Sequence, residues 1–458
     1  MQNRTVTAEH VVREHLDHAR RIDSVVNALT VQRGERALEE ARALDHHTRL
    51  SELPLAGVPL VVKDSILVAG EMTRYGSRGA STTPVSVDEP SVARLRAAGA
   101  VIIAKTTMCE LAAWPFTTST AWGTTCNPWD TSRTAGGSSG GCAAAVASGA
   151  APLGLGADGG GSIRIPAACC GLFGLKPGPG VVPWSNTDSN WYGLSEEGPL
   201  TTTVADAALM LDVLAGTSQY VTSLSSPLPA RLRIALSLQS PVPGVHVEPA
   251  VRETILSVGN TLKQLGHVVR RTDPPYTIPS MWAFTQRWLE GIAEQAEAMD
   301  FARLEPRTRQ LVRAGRLLRR FAPVRDRSAL AWHERARTWF RGYDVLVSPV
   351  TATLPPPTTR WQNCGAIGTT MGCLRFMPFT PLWNLAGLPC ASVPARPQAT
   401  EARSSGTRAI PIGVQLVGPR GSEALLMRVA AALERSAPWS RHAPVLMTPE
   451  TQHPSVRG

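Results

Sequence analysis

The sequence predicts an α/β protein built around a mainly parallel or mixed sheet, because short apolar strands alternate with helices along its 458 residues. Apolar residues make up 43% of the chain, which is typical of a globular protein that buries a full interior. The longest uncharged stretch, 134–157, is mostly Gly, Ser and Ala and is too weakly apolar for a membrane span. The first thirty residues lack the apolar region of a secretion signal, so we expect a cytoplasmic protein without a membrane partner.

The first half of the chain contains the most regular pattern. Helices are predicted where apolar residues repeat with helical spacing, and strands where short apolar runs end at glycine or proline. In order, these elements are a helix over 8–22 capped by Thr7, a helix over 33–47, a strand over 60–62, a helix over 91–98, a strand over 99–104, a helix over 142–148, a strand over 151–156 and a helix over 203–214.

A polar connector with prolines, 222–229, precedes a second α/β segment. Its predicted elements are a strand over 232–236, a helix over 251–265, a strand over 267–271, helices over 278–298, 305–320 and 330–340, strands over 344–348 and 410–417, and a helix over 423–434. The segment 352–380 is rich in Pro, Gly and Thr, which predicts a loop near a site.

The net charge of +10 is unevenly distributed. Residues 55–215 carry 9 basic and 12 acidic side chains, whereas 216–345 carry 19 basic and 11 acidic ones. Twelve arginines lie within 303–341, and their helical spacing favours a solvated helical face. The alternative is a patch for an anionic substrate or partner. Few aromatic residues lie between these arginines, so nucleic-acid binding is not favoured.

The spacing of the cysteines and the apolar residues before Lys63 indicate that these side chains are buried and uncharged. Eight cysteines show no CxxC pair and no metal-type spacing with histidine, which predicts free thiols in a reducing compartment and no metal site. The chain contains only four lysines but 42 arginines. Lys63 follows the apolar run 58–62, where desolvation can leave its amine neutral; the alternative is that a buried carboxylate, Asp64, keeps it charged.

Two glycine-embedded serines follow Lys63, in the segments 136–141 (GGSSGG) and 158–166 (DGGGSIRIP), and no histidine occurs from residue 48 to residue 245. Consecutive glycines before Ser162 let several N–H groups point at one position, which is the geometry of an oxyanion hole. This pattern suggests a serine nucleophile whose base is a lysine, and therefore a hydrolase that cuts an amide.

A competing interpretation places the nucleophile at Ser138, since 136–140 fits the G-x-S-x-G turn of α/β-hydrolases. That turn requires a histidine partner. None of the histidines after residue 245 lies in a sequence context that is recognisable for this role. These histidines are His246, His267, His333, His442 and His453.

In this order, the three segments resemble the amidase signature family. The resemblance continues in 171–177, 197–199, 386–389 and 411–415, and it spans about residues 8–436. It implies the amidase signature fold, a twisted mixed sheet, largely parallel, with helices on both faces. It also implies a single domain, 1–458, whose parts are N-terminal helices (1–50), a catalytic core (55–215), a helical Arg-rich subregion (216–345) and a C-terminal part of the core (346–440).

The resemblance also implies roles for individual residues. Ser162 is the implied nucleophile, Lys63 the general base, and Ser138, preceded by a cis peptide bond, the bridge that passes protons between them. The other implied site residues are Gly159, Gly160 and Gly161 in the oxyanion hole, Asp158, Ser139 and Arg164 as supporting residues, and Met108, Trp114 and Trp191 as substrate contacts.

The implied activity is hydrolysis of a small carboxamide through an acyl-enzyme, in a homodimer that needs no metal or organic cofactor. The arginine-rich segment adds the expectation that this amide is anionic. Two alternatives stay open. One is a glutaminase-type subunit of an amidotransferase, or an amidase that depends on a partner; the other is a non-catalytic binding protein that keeps the fold. Ser195 occupies a position where the glutaminase subunit typically has aspartate, which counts against that role.

Overall fold

The computed structural model describes residues 1, 5–185, 190–395 and 410–444. Its α-helices cover much of the predicted helical pattern. They are α1 (Ala8–Val26), α2 (Gly34–Asp45), α3 (Pro90–Ala97), α4 (Gly140–Ala147), α5 (Arg164–Cys170), α6 (Val204–Ala215), α7 (Gln219–Leu224), α8 (Pro249–Gln264), α9 (Ile278–Gln295), α10 (Pro306–Phe321), α11 (Asp326–Trp339), α12 (Ala366–Phe376), α13 (Pro381–Leu385) and α14 (Glu423–Ser436).

The strands form one large sheet and two small hairpins. They are β1 (Leu29–Gln32), β2 (Pro59–Lys63), β3 (Val101–Thr106), β4 (Thr118–Ser119), β5 (Gly123–Thr124), β6 (Cys126–Asn127), β7 (Asp130–Thr134), β8 (Leu153–Asp158), β9 (Phe173–Lys176), β10 (Glu196–Thr201), β11 (Arg233–Leu236), β12 (Val268–Arg271), β13 (Val345–Pro349), β14 (Cys390–Ala395) and β15 (Ile412–Val417). The large sheet has 11 strands in the order β1-β3-β2-β8-β10-β9-β14-β15-β13-β11-β12.

The sheet is mixed, as expected, but the expectation that it is largely parallel is wrong. Parallel pairing is confined to β3-β2-β8 and to β13-β11-β12. The middle of the sheet, from β8 through β10, β9, β14 and β15 to β13, is antiparallel. These central strands are almost entirely buried, so they lack the polar alternation by which an antiparallel strand is usually recognised.

Helices cover both faces of the sheet, as predicted. Alternate residues of β2 illustrate this, because Val61 packs into one hydrophobic cluster and Leu60 and Val62 pack into another. The first cluster contains buried residues of α1, α2, α4 and α5, and the second contains those of α3, α6, α8 and α14. No helix in the described ranges combines the length and the apolar character needed to cross a bilayer.

Several elements differ from the prediction. The segment 352–380 contains α12, whose buried residues Ala366, Thr369, Cys373 and Phe376 recur every three or four positions, so it is not simply a loop. Strand β10 escaped prediction because it includes Gly198 and a proline. A Cβ atom at Gly198 would lie 2.2 Å from the Leu175 carbonyl oxygen, so glycine permits the close approach to neighbouring β9.

The sheet brings the three sequence segments to one edge. Strands β2 and β8 are parallel neighbours, and they end at Lys63 and Asp158. Because the carboxyl ends of parallel neighbours lie at the same edge, the lysine and the Asp158 loop meet there. Helix α4 begins directly after Ser138 and Ser139 and contacts both strands, which brings the serine loop to the same place.

Candidate active site

Lys63 lies at the end of β2, a strand in which all five residues are buried. Its Nζ lies 2.8 Å from the Ser138 Oγ and donates a hydrogen bond to the Ala157 carbonyl oxygen at 3.0 Å. Burial lowers the pKa of Lys63 to about 8. A substantial share of the molecules therefore carries a neutral amine at mildly alkaline pH, and a neutral amine can accept a proton.

Asp64 is not the partner of Lys63. Its carboxylate pairs with Lys105, whose Nζ lies 3.6 Å from the Asp64 Oδ1. The Asp64 Oδ2 also accepts a hydrogen bond from the Gly76 N–H at 3.2 Å. The alternative in which Asp64 keeps Lys63 charged is therefore wrong.

The serine loop is held tightly against the rest of the core. The Gly137–Ser138 peptide bond is cis. A Cβ atom at Gly137 would lie 2.6 Å from the Phe116 backbone nitrogen, so no larger residue fits between the loop and Phe116. The Ser139 N–H donates to the Ser162 carbonyl oxygen at 3.2 Å, and the Ser139 hydroxyl donates to the Ala157 carbonyl oxygen at 3.3 Å. Ser139 thus joins the two serine-bearing loops.

The glycine loop before Ser162 presents its N–H groups unequally. Gly161 has φ of +127°, and its N–H donates to the Asp158 Oδ1 at 2.6 Å. This predicted oxyanion donor is therefore already engaged. Within the ranges that the structure describes, the N–H groups of Gly159, Gly160 and Ser162 make no hydrogen bond. The Ser162 side chain lines the cavity described below and is partly exposed.

A fully buried ion pair supports this loop. The Arg164 Nε lies 2.9 Å from the Asp158 Oδ2, and neither side chain is exposed. Arg164 also donates to the Gln415 Oε1 at 2.8 Å, and the Asn384 Nδ2 donates to the Asp158 Oδ1 at 2.9 Å. Burial alone would raise the pKa of Asp158, but the Arg164 guanidinium holds it well below its usual range. Asp158 therefore stays ionised and keeps the glycine loop in place.

Ser138 and Ser162 line a cavity of about 300 Å³. Its lining includes all three predicted catalytic residues, the predicted oxyanion-hole residue Gly159 and Trp191, as well as residues that were not predicted to belong to the site. These additional residues include Ser65, Ile66, Leu67, Tyr75, Glu89, Ala112, Ser185, Asn190, Ser195, Glu197 and Gln295.

Two predicted substrate contacts do not line this cavity. Met108 is fully buried, and Trp114 is only 2% exposed. The Trp114 ring stacks on Phe116 with a centroid distance of 6.1 Å, and the Arg307 guanidinium lies over the same indole at 5.7 Å. Both predicted contacts are therefore core residues, and Trp191 is the one of the three that reaches the cavity.

Glu197 is the lining residue that sequence reasoning should have noticed. It is 1% exposed, and burial raises the pKa of its carboxyl to about 8. The available signal was a pair of adjacent glutamates immediately before Gly198 and Pro199, within a segment already noted for its resemblance. Glu89 and Tyr75 carry no comparable signal, because they lie in irregular sequence far from the serine loops.

The Arg-rich segment and the described histidines do not line the cavity, and the candidate His453 lies outside the described residues. None of the lining residues in the described ranges is an arginine or a histidine. His333, one of the five candidate partners for a nucleophilic Ser138, makes its contact with the Leu385 carbonyl oxygen instead. No group of three or more His, Cys, Asp or Glu side chains within the described part of the chain is placed to hold a metal ion.

Comparison with known proteins gives consistent similarities over nearly the whole chain. The amidase family model matches residues 10–427. AmiB2 of Mycobacterium tuberculosis, named as an amidase, is 41% identical over 96% of this chain and 95% of its own length. An acylamidase of Rhodococcus erythropolis is 32% identical over 93% of this chain and 91% of its own length. The structure of 6-aminohexanoate cyclic dimer hydrolase with substrate matches with a TM-score of 0.84 and 26% identity, over 96% of each chain.

Proposed function

The chain belongs to the amidase signature family and is an amidase, and we propose that it hydrolyses a small, non-peptide carboxamide through an acyl-enzyme on Ser162. The observation that carries this proposal is the 2.8 Å contact between the Lys63 Nζ and the Ser138 Oγ. A lysine with a pKa of about 8 can serve as the base at mildly alkaline pH. The relatives named as an acylamidase and as a cyclic dimer hydrolase support a small-molecule substrate.

The first step transfers one proton through two side chains. Neutral Lys63 accepts the proton of the Ser138 hydroxyl while Ser138 accepts the proton of the Ser162 hydroxyl. The Ser162 Oγ then bonds to the carbonyl carbon of the amide, and the carbonyl oxygen becomes an oxyanion. The Gly159, Gly160 and Ser162 N–H groups are the available donors for that oxyanion, and such a donor is worth roughly 3 kcal/mol of barrier.

The second step breaks the C–N bond. The proton held on Lys63 returns through Ser138 to the leaving nitrogen, and the amine departs from an ester formed with Ser162. Water then attacks the ester carbonyl while one of its protons passes through Ser138 to neutral Lys63. The proton returns from Lys63 through Ser138 to the Ser162 oxygen, which releases the carboxylic acid and restores the Ser162 hydroxyl.

A fluorophosphonate probe tests this proposal directly. We expect the wild type to be labelled at Ser162 and the Ser162→Ala variant to remain unlabelled. A Ser138→Ala variant should be labelled far more slowly, because it keeps the nucleophile but loses the proton bridge. Ser218→Ala, an exposed serine on the surface, is the matched control and should be labelled like the wild type. Peptide mass spectrometry that places the label on Ser138 would contradict the assignment of the nucleophile.

A further inference from the structure

Two glutamates face the same cavity as the catalytic residues. Glu197 lies on β10 directly opposite Ala157 of β8, and Ala157 is the residue whose carbonyl oxygen accepts the hydrogen bond from Lys63. Glu89 lies at the start of α3 and is 5% exposed. Both side chains line the cavity together with Ser162. A substrate that fills this cavity next to Ser162 therefore has these two side chains among its surroundings.

Among the described residues, the Glu197 carboxylate forms no salt bridge, and Lys63 attracts it only at longer range. The carboxylate lies beside the Ser91 hydroxyl and close to Glu89, and neither of its oxygens makes a hydrogen bond of normal geometry among the described residues. A carboxylate buried in this way costs free energy unless donors or a cation satisfy it. Its raised pKa agrees with this lack of a partner.

No basic side chain in the described lining forms a salt bridge with either carboxylate. Lys63 is the one basic residue among the described lining residues, and its Nζ contacts the Ser138 hydroxyl and the Ala157 carbonyl oxygen instead of a carboxylate. Glu89 has one oxygen occupied, since its Oε1 accepts a hydrogen bond from the Ser185 N–H at 2.7 Å. The Arg-rich segment contributes no side chain to the described lining.

We propose that Glu197, together with Glu89, binds an ammonium group of the substrate, so that this amidase prefers amides that carry a cationic group over neutral amides and over amides that carry a carboxylate. This inference rests on the proposed function, because it assigns the substrate class of the same site. It replaces the expectation of an anionic substrate that the arginine count had raised. An ammonium group has three hydrogen-bond donors and a positive charge. It can therefore satisfy two carboxylates that share a small cavity.

Three matched fluorophosphonate probes test this preference without requiring the natural substrate. The probes carry a 4-aminobutyl, a pentyl or a 4-carboxybutyl tail, which differ in charge and little in size. The rate of Ser162 labelling is measured for each at pH 8.5. We expect the ammonium probe to label the wild type at least about ten-fold faster than the pentyl probe, which corresponds to about 1.4 kcal/mol, and the carboxylate probe to be slowest.

Glutamine variants assign the preference to its residues. Glu197→Gln should bring the ratio of ammonium to pentyl labelling close to one, and Glu89→Gln should reduce it. Glu196→Gln is the matched control, because this adjacent glutamate does not line the cavity, and it should keep the wild-type ratio. The ratio of the two labelling rates removes any effect of Glu197 on the base Lys63. Both probes react with the same serine, so such an effect changes both rates equally.

The outcomes separate this inference from the proposed function. Labelling of Ser162 at equal rates by all three probes, or fastest by the carboxylate probe, would overturn the cationic preference and leave the acyl-enzyme proposal standing. A preference that survives Glu197→Gln and Glu89→Gln would also overturn it. Absence of labelling by every probe would contradict the serine mechanism and, with it, the inference that depends on that mechanism.

Discussion

Lys63 and Ser138 are 75 positions apart in the sequence, yet the Lys63 Nζ lies 2.8 Å from the Ser138 Oγ, and both side chains are buried. Parallel pairing of β2 with β8 brings the lysine to the edge of the sheet, and α4 brings the serine loop to the same edge. The contact therefore depends on the central sheet and not on a local motif. It also joins a lysine of lowered pKa to a hydroxyl group, which is the arrangement that proton transfer requires.

Replacing Lys63 with methionine should abolish the base while keeping the volume of the side chain. We expect kcat/KM on a neutral amide to fall by roughly 10²- to 10⁴-fold, the usual contribution of a general base. In the wild type, kcat/KM should rise with pH and reach half of its maximum near pH 8, because only neutral Lys63 accepts a proton. Lys263→Met, an exposed lysine of α8, is the control and should keep the wild-type rate and pH profile. A wild-type profile that is flat from pH 6 to pH 9 would contradict Lys63 as the base.

The same substitution should change how stability depends on pH. The pKa of Lys63 falls from 10.5 to about 8 on folding, so between these values the unfolded chain binds more protons than the folded one. The free energy of unfolding of the wild type should therefore rise relative to that of Lys63→Met between pH 8 and pH 10.5, by up to about 3 kcal/mol. Urea unfolding of the two proteins at pH 8, 9 and 10 measures this difference. A difference that does not change with pH would show that Lys63 keeps its ordinary pKa in the folded protein.

The local part of the site could be predicted from the sequence, and the long-range part could not. The glycines around the two serines and the apolar run before Lys63 singled out Ser138, Ser162 and Lys63 as candidates, because each of these signals lies within a few residues. The support of Arg164 by Gln415 spans 251 positions, and a polar residue inside a strand carries no sign of its partner. The burial of Glu197 likewise depends on the antiparallel centre of the sheet, where the prediction of parallel strands was wrong.

Removing the charge of Asp158 should unfold the loop that carries Ser162. Asp158→Asn leaves the fully buried Arg164 without its ion pair, which typically costs 3 to 5 kcal/mol. It also weakens the hydrogen bond that the Gly161 N–H donates. Asp17→Asn is the control, because the Arg20–Asp17 pair is about half exposed on α1, and its loss should cost less than about 1 kcal/mol. Thermal unfolding together with Ser162 labelling compares the two variants, and equal effects would show that the buried pair does not stabilise the loop.

Adding one methyl group at Gly161 should be more harmful than adding it at a glycine that also has a positive φ but has open surroundings. Gly161 has φ of +127°, and a Cβ atom there would lie 2.4 Å from the Thr380 Oγ1 and 2.6 Å from the Ile165 Cδ1. The Thr380 hydroxyl cannot simply turn away, since it donates to the Gly160 carbonyl oxygen at 2.7 Å. Gly161→Ala should therefore displace the loop and its oxyanion donors, with a loss of about 10²-fold or more in kcat.

Gly180→Ala provides the comparison for Gly161→Ala. Gly180 also has a positive φ, +82°, but a Cβ atom there meets no other atom within 4 Å. This variant should lose about 1 kcal/mol of stability from backbone strain and keep the wild-type kcat. If both variants lost kcat equally, backbone strain alone would explain the result, and close packing around Gly161 would not be needed to position the oxyanion donors.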